Sequence, residues 1–188
     1  MRALAAALVA LATLGYPMAV YAGMAQLQPR WMALVLLTLA LARAAVARGG
    51  PWLAAGAGAA LLAAAAWWGN AWLPLKLYPV LVNAALLLVF GASLLRGPSL
   101  VERLARLREP DLPPAGVAYT RRVTQAWCGF FVVNGSIALS TALWGSDAAW
   151  ALYNGLLAYG LMGLFFGVEW LLRQRLKARL RHAGGAHG

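Results

Sequence analysis

Residues 76–95 read KLYPVLVNAALLLVFGASLL, and this stretch decides the fold class of the chain. After Lys76 it carries no charged residue. A helix of about 20 residues crosses a hydrocarbon core roughly 30 Å thick, and an open chain cannot satisfy its backbone there. The stretch therefore predicts a transmembrane helix.

Five further apolar runs accompany this one along the chain. Together the predicted spans cover residues 3–25, 31–48, 51–69, 76–95, 124–144 and 149–171. The chain is 63% hydrophobic and 11% charged, whereas a soluble domain is about half apolar and about a quarter charged. We predict an all-α, polytopic bundle of six transmembrane helices. It forms a single domain over residues 1–181, followed by a disordered tail at 182–188.

The first apolar run allows a second interpretation. Arg2, the apolar residues after it and the small-residue pattern Val20-Tyr21-Ala22 are also typical of a cleaved signal peptide. The apolar stretch continues past Ala22, which favours a retained first span. A cleaved form would have five spans and the same cytoplasmic C-terminus.

The basic residues predict the orientation of the bundle. If the N-terminus is cytoplasmic, all but Arg30 and Lys76 of the 16 Lys and Arg residues lie on the cytoplasmic side. Cytoplasmic loops carry an excess of Lys and Arg, so both termini are predicted in the cytoplasm of a bacterial inner membrane. The net charge of +11 is attributed to the membrane surface. We expect no nucleic-acid partner, because no basic patch is interleaved with aromatic residues.

The loop at 96–123, between spans four and five, contains one predicted surface helix. Ser99 and Glu102 form an S-x-x-E capping box, and the leucines that follow recur on one face. This pattern predicts a short amphipathic helix over 99–108 on the membrane surface, with a solvated connector as the alternative. Three prolines are predicted to end the helix and keep the rest extended: Pro110, Pro113 and Pro114. Five arginines are predicted to dock anionic lipid headgroups or a membrane partner: Arg103, Arg106, Arg108, Arg121 and Arg122.

Polar residues within the spans are the candidates for a binding site, since such groups often mark functional sites. They are Asn83, Asn134 and Asn154, with Tyr153 at a similar depth. These side chains could bind a lipid headgroup or line a cavity. Alternatively, they form hydrogen bonds between helices, worth about 0.6 kcal/mol each. Lys76, at the outer mouth of span four, is predicted to reach lipid headgroups or to hold an anionic ligand.

Glu169 is the only acidic residue within a predicted span. Arg173 follows four residues later, which is the favourable spacing for an ion pair within a helix. The sequence has no metal-binding, phosphate-binding or nucleophile motif, so we expect no cofactor and favour a non-enzymatic role. A transferase centred on Arg121, Arg122 and Glu169 is the enzymatic alternative.

The segment from Lys76 to about Arg175 resembles the intracellular septation protein A (YciB-type) family of bacterial inner-membrane proteins. The matching elements are Lys76 with Pro79, the run PSLVERL at 98–104, Leu112-Pro113, and Trp127, Phe130 and Phe131 followed by Gly135. The chain departs from the family pattern at Leu77 and Tyr78, which separate the Lys from the Pro, and at Ala138, which replaces an Asn. The segment is also similar to membrane proteins encoded in aryl-polyene biosynthesis clusters.

The resemblance implies envelope maintenance or cell division through contacts with other membrane proteins, without a catalytic mechanism. The sequence therefore predicts a non-enzymatic inner-membrane accessory protein in cell-envelope or lipid-linked biogenesis. Its expected partners are anionic lipids and other inner-membrane proteins. The alternative is a small carrier or flippase for a lipid-like intermediate that uses the three asparagines.

Overall fold

The computed structural model describes the backbone of residues 2–46 and 50–184, and the side chains of residues 11–12, 15–42 and 53–175. Every regular element in these ranges is helical. The helices are α1 (Arg2–Met24), α2 (Pro29–Val46), α3 (Gly50–Gly69), α4 (Leu73–Lys76), α5 (Tyr78–Leu95), α6 (Leu100–Arg106), α7 (Pro114–Trp144), α8 (Asp147–Leu152) and α9 (Ala158–Gly184). A π-helical turn, Tyr153–Leu157, joins α8 to α9.

Three helical segments are long and apolar enough to cross a membrane: Leu73–Leu95, Pro114–Trp144 and Asp147–Arg175. Within the described side chains, two shorter apolar helices accompany them, Pro29–Ala42 and Leu53–Gly69. The all-α prediction is therefore confirmed, and the chain has the helix lengths and composition of a membrane protein.

Two predicted boundaries differ from the structure. The loop predicted at 96–123 ends earlier, because residues 114–123 form the first turns of α7. Pro114 is the first residue of that helix. The backbone N–H at this position has no partner within the helix, so proline, which lacks it, loses no hydrogen bond there. At the other end, residues 182–184 of the predicted disordered tail continue α9, and residues 185–188 lie outside the described range.

Two apolar clusters hold the helices together. The first joins α1–α4 to α8 around the fully buried Tyr16, Leu36, Leu75 and Trp150, with alanines filling the contact between α2 and α3. Small residues at that contact let the two backbones approach closely. The second cluster joins α5, α6 and α7 around Trp127, and Phe165 of α9 packs against it.

The N-terminal helix is part of the packed core. The Tyr16 hydroxyl of α1 donates a hydrogen bond to the Leu75 carbonyl at 3.2 Å. Met18 lies so close to Gly155 that a Cβ added there would meet the Met18 sulfur at 3.0 Å. Helix α1 thus packs against both α4 and the π-helical turn.

The described charges separate to the two ends of the bundle. Near the start of α7, the Tyr119 hydroxyl donates to the Glu169 carbonyl of α9 at 3.1 Å, and Arg121 donates to the Leu94 carbonyl of α5 at 3.1 Å. These helix ends therefore lie together beside α6. We call them the basic end, defined by Arg96, Arg103, Arg106, Arg108, Arg121, Arg122, Arg173 and Arg175. The opposite end carries Arg30, Lys76 and Asp147.

Candidate functional site

A chain of hydrogen bonds links α5, α7 and the π-helical turn through three of the predicted site residues. Asn134 Nδ2 donates to Asn83 Oδ1 at 3.0 Å, and the Tyr153 hydroxyl donates to Asn134 Oδ1 at 2.8 Å. Asn83 Nδ2 in turn donates to the Pro79 carbonyl at 2.9 Å. Gly135 permits this approach, because a Cβ at that position would lie 3.1 Å from the Asn83 Cβ. We call Asn83, Asn134 and Tyr153 the amide chain.

Asn154 is buried but does not join the amide chain. Its Nδ2 donates to Thr141 Oγ1 at 3.2 Å and to the Trp150 carbonyl at 2.9 Å. Thr141 lies about two helical turns beyond Asn134 on α7. The three asparagines, predicted to lie between the middle and the outer half of the membrane, therefore form two separate contacts.

The buried polar atoms of the described side chains are all hydrogen-bonded within the protein. In the amide chain, two of the described hydrogen bonds join different helical segments, and the third links Asn83 to the Pro79 carbonyl one turn earlier in the same helix. Such pairing is expected of amides that hold membrane helices together. Among the same residues, no group of three His, Cys, Asp or Glu side chains could hold a metal ion.

An apolar groove of about 350 Å³ opens beside the amide chain, between α7 and the last helix. We call it the α7–α9 groove; its walls are Phe130, Val133, Asn134, Ile137, Tyr153, Leu161, Leu164, Phe165 and Val168. Its volume falls at the lower end of the range for small-molecule sites. Because it lies between two segments of membrane-spanning length, acyl chains would surround it in a bilayer. Of the polar residues predicted as a possible cavity lining, Asn134 and Tyr153 line this groove, whereas its apolar walls were not predicted.

Lys76 is buried and ion-paired. Its side chain is 10% exposed, and Nζ lies 2.5 Å from Asp147 Oδ1. The Trp150 indole donates to the Lys76 carbonyl at 3.1 Å, which fixes the same residue through its backbone. The Lys76 charge is balanced within the protein by a carboxylate that the sequence does not predict as its partner.

Glu169 and Arg173 form the ion pair expected from their spacing, with Nη2 and Oε1 2.7 Å apart. Tyr119, which the sequence analysis missed, also donates to this carboxylate at 3.4 Å. Arg121 is engaged by α5 and not by Glu169, and Arg122 is exposed without a contact to it. The three groups of the enzymatic alternative are therefore not assembled.

Helix α6 has the predicted N-cap, since the Ser99 hydroxyl accepts a hydrogen bond from the Glu102 amide at 3.4 Å. The Glu102 carboxylate pairs with Arg106 at 2.8 Å and does not return to Ser99. Val101 packs into the bundle, whereas Leu104 and Leu107 are exposed. The helix therefore rests on α7 by one face and presents leucines on another.

The five arginines predicted for docking fall into two groups. Arg103, Arg106 and Arg121 donate to backbone carbonyls of neighbouring segments, so they stabilise the loop itself. The side chains of Arg108 and Arg122 are exposed, and neither guanidinium group forms a hydrogen bond or ion pair with another residue that the structure describes. Of the five, these two leave the whole guanidinium group available to an external anion.

Neither a protein-family model, a curated protein nor a solved structure matches this chain. The class that the structure itself defines is an α-helical membrane protein with hydrogen-bonded amides between its helices and a groove along one side. The resemblance to the septation protein A family stays a prediction.

Proposed function

We propose that the protein is a non-enzymatic, multi-pass accessory protein of a bacterial inner membrane. It acts in cell-envelope or lipid-linked biogenesis through contacts with anionic lipids and other membrane proteins. The supporting observation is the basic end, where the Arg108 guanidinium has no partner among the described residues and lies beside the exposed Leu104 and Leu107. Cationic and apolar side chains presented together favour an anionic membrane surface. The family resemblance supplies the setting of septation or aryl-polyene biogenesis.

The proposed topology has six spans, with both termini in the cytoplasm. The separation of the described charges supports it, because the basic end holds eight arginines and the opposite end has few charges. The positive-inside rule then assigns the basic end to the cytoplasm. Helices α1, α2 and α3 would cross the membrane beside the three longer segments.

The first test concerns Arg108. In nanodiscs of anionic lipid, amides 100–108 are expected to exchange hydrogen more slowly than in zwitterionic nanodiscs. Arg108→Gln should lower the protection factor in anionic nanodiscs about fivefold, because one cation near an anionic surface contributes about 1 kcal/mol. Hydrogen exchange followed by mass spectrometry measures the difference.

Arg106→Gln is the control for this test, since Arg106 is engaged by Glu102 and the Pro110 carbonyl. Its loss should speed exchange equally in both lipids. Equal protection of the parent protein in anionic and zwitterionic nanodiscs would contradict lipid docking by α6.

The second candidate function is a carrier or flippase for a lipid-like molecule. The observation that favours it is the α7–α9 groove, whose apolar wall includes Asn134 and Tyr153 of the amide chain. A lipid tail in this groove would lie next to the polar atoms that the carrier hypothesis requires.

Asn134→Leu separates the two functions. For the accessory protein, the substitution lowers the free energy of unfolding by about 1 kcal/mol, since two bonds of about 0.6 kcal/mol are lost. Lipid transfer between leaflets of proteoliposomes then stays at its parental value. For a carrier, transfer of a fluorescent lipid falls as well.

Ser136→Ala is the matched control, because Ser136 lies on the same helix and its hydroxyl donates to the Val132 carbonyl within that helix. This substitution should change neither the free energy of unfolding nor the rate of lipid transfer. Parental transfer by Asn134→Leu would discard the carrier candidate, and a selective loss would promote it.

A further inference from the structure

Two exposed arginines continue the faces that line the α7–α9 groove. Arg122 precedes the groove residue Val133 by eleven residues, about three turns of α7, so both lie on one face. Arg175 follows the groove residue Val168 by seven residues, about two turns of α9. Neither guanidinium group forms a hydrogen bond or ion pair with the residues that the structure describes.

Both arginines lie toward the same mouth of the groove. Phe130 and Phe165, on opposite walls, have ring centroids 5.5 Å apart, and Tyr119 reaches Glu169 closer to the basic end. Arg122 and Arg175 therefore lie beyond the groove toward the basic end, on the two helices that form its walls. The acidic group there, Glu169, is already paired with Arg173. The two remaining guanidinium groups make this mouth positive.

We propose that the α7–α9 groove binds one acyl chain of an anionic phospholipid, with the lipid phosphate between Arg122 and Arg175. An acyl chain matches the apolar walls, and a phosphate matches two unpaired guanidinium groups, which bind phosphate oxygens in pairs. The charge complementarity at the mouth identifies the occupant.

An apolar transmembrane helix of a partner protein would fill the groove but leave the two arginines without a counter-charge. A phospholipid supplies both an acyl chain for the groove and a phosphate for the arginines.

This inference extends the second candidate function. It rests on that function in one respect, that a lipid occupies the α7–α9 groove. It concerns binding of an anionic lipid, whether or not the protein moves that lipid across the membrane. It does not depend on Arg108 or on docking by α6.

The charge at the mouth is tested by lipid titration of the purified protein in detergent, followed by native mass spectrometry. Phosphatidylglycerol should bind the parent at least tenfold more tightly than phosphatidylcholine of the same chain length. The double variant Arg122→Gln/Arg175→Gln should lose on the order of 30-fold in affinity for phosphatidylglycerol, because two cations are removed from the phosphate site. Arg30→Gln, which removes one exposed charge at the opposite end of the bundle, should change the affinity by less than about twofold, because screening limits its effect on a distant phosphate.

The groove itself is tested with two adjacent, exposed valines. Val133 lines the groove and Val132 does not, although both lie on α7. Val133→Trp should fill the groove and lower phosphatidylglycerol affinity at least tenfold, whereas Val132→Trp should leave it unchanged. Both side chains are exposed, and circular dichroism of each variant verifies that the helices are retained.

Several results would overturn the proposal. Equal affinity of the parent for the two lipids, or full competition by millimolar inorganic phosphate alone, would show that no acyl chain is held. Dimers that disappear in Val133→Trp would show that a second copy of the chain fills the groove. Lipid transfer is measured separately. Selective binding of phosphatidylglycerol without lipid transfer would support this binding site and contradict the carrier function.

Discussion

Trp127→Ala is expected to lower the free energy of unfolding by about 3–5 kcal/mol, the loss typical of a buried tryptophan. Trp127 is 5% exposed, and its indole contacts Phe90 of α5, Phe130 of its own helix and Phe165 of α9. The ring centroids of Trp127 and Phe165 lie 4.5 Å apart. Removing the indole would leave a cavity at the point where three helices meet.

Trp144→Ala is the control for Trp127→Ala. Trp144 belongs to the same helix but is 79% exposed, so its loss should change stability by about 0.5 kcal/mol or less. Unfolding in mixed micelles with increasing sodium dodecyl sulfate gives both values. Equal losses would show that Trp127 is not the packing centre of α5, α7 and α9.

Trp150→Ala is expected to have an effect of similar size, about 3–5 kcal/mol, at the opposite end of the bundle. Trp150 is fully buried beside Tyr16 and Leu75. Its indole N–H donates to the Lys76 carbonyl, and Lys76 pairs with Asp147. The substitution therefore opens a cavity and also breaks the link between α4 and α8.

Trp150→Phe separates these two contributions. Phenylalanine keeps most of the ring volume and removes the N–H donor, so the expected loss is about 1 kcal/mol, the contribution of one hydrogen bond. The same unfolding experiment measures it. A loss as large as that of Trp150→Ala would mean that the hydrogen bond, and not the packing, secures this end.

The helices are predictable from the sequence because apolar length is a local property. The runs at 3–25, 31–48 and 51–69 fall within a few residues of α1, α2 and α3. Pro114 misled the prediction, since the same residue type can interrupt a helix or begin one. Proline begins a helix when the residues that follow it can pack against the rest of the protein as a helix.

The site is less predictable because it depends on contacts between distant segments. Depth along the helices suggests that Asn83 and Asn134 meet, and they do. The partner of Lys76 is Asp147, a residue in a later turn that no spacing rule connects to it. The α7–α9 groove is set by how two helices cross and by the sizes of their side chains. Neither quantity can be read from the apolar pattern.

The π-helical turn at Tyr153–Leu157 has a consequence for how this protein can change over evolutionary time. A π-helical turn behaves as one extra residue within an α-helix, and each residue turns an α-helix by about 100°. Deleting that residue would rotate everything after it, so that Leu161, Leu164, Val168 and Arg175 would leave the side that meets α7. A single-codon insertion or deletion here would therefore change which side chains of the last helix face α7 and which face lipid. Many separate substitutions would be needed to obtain the same change.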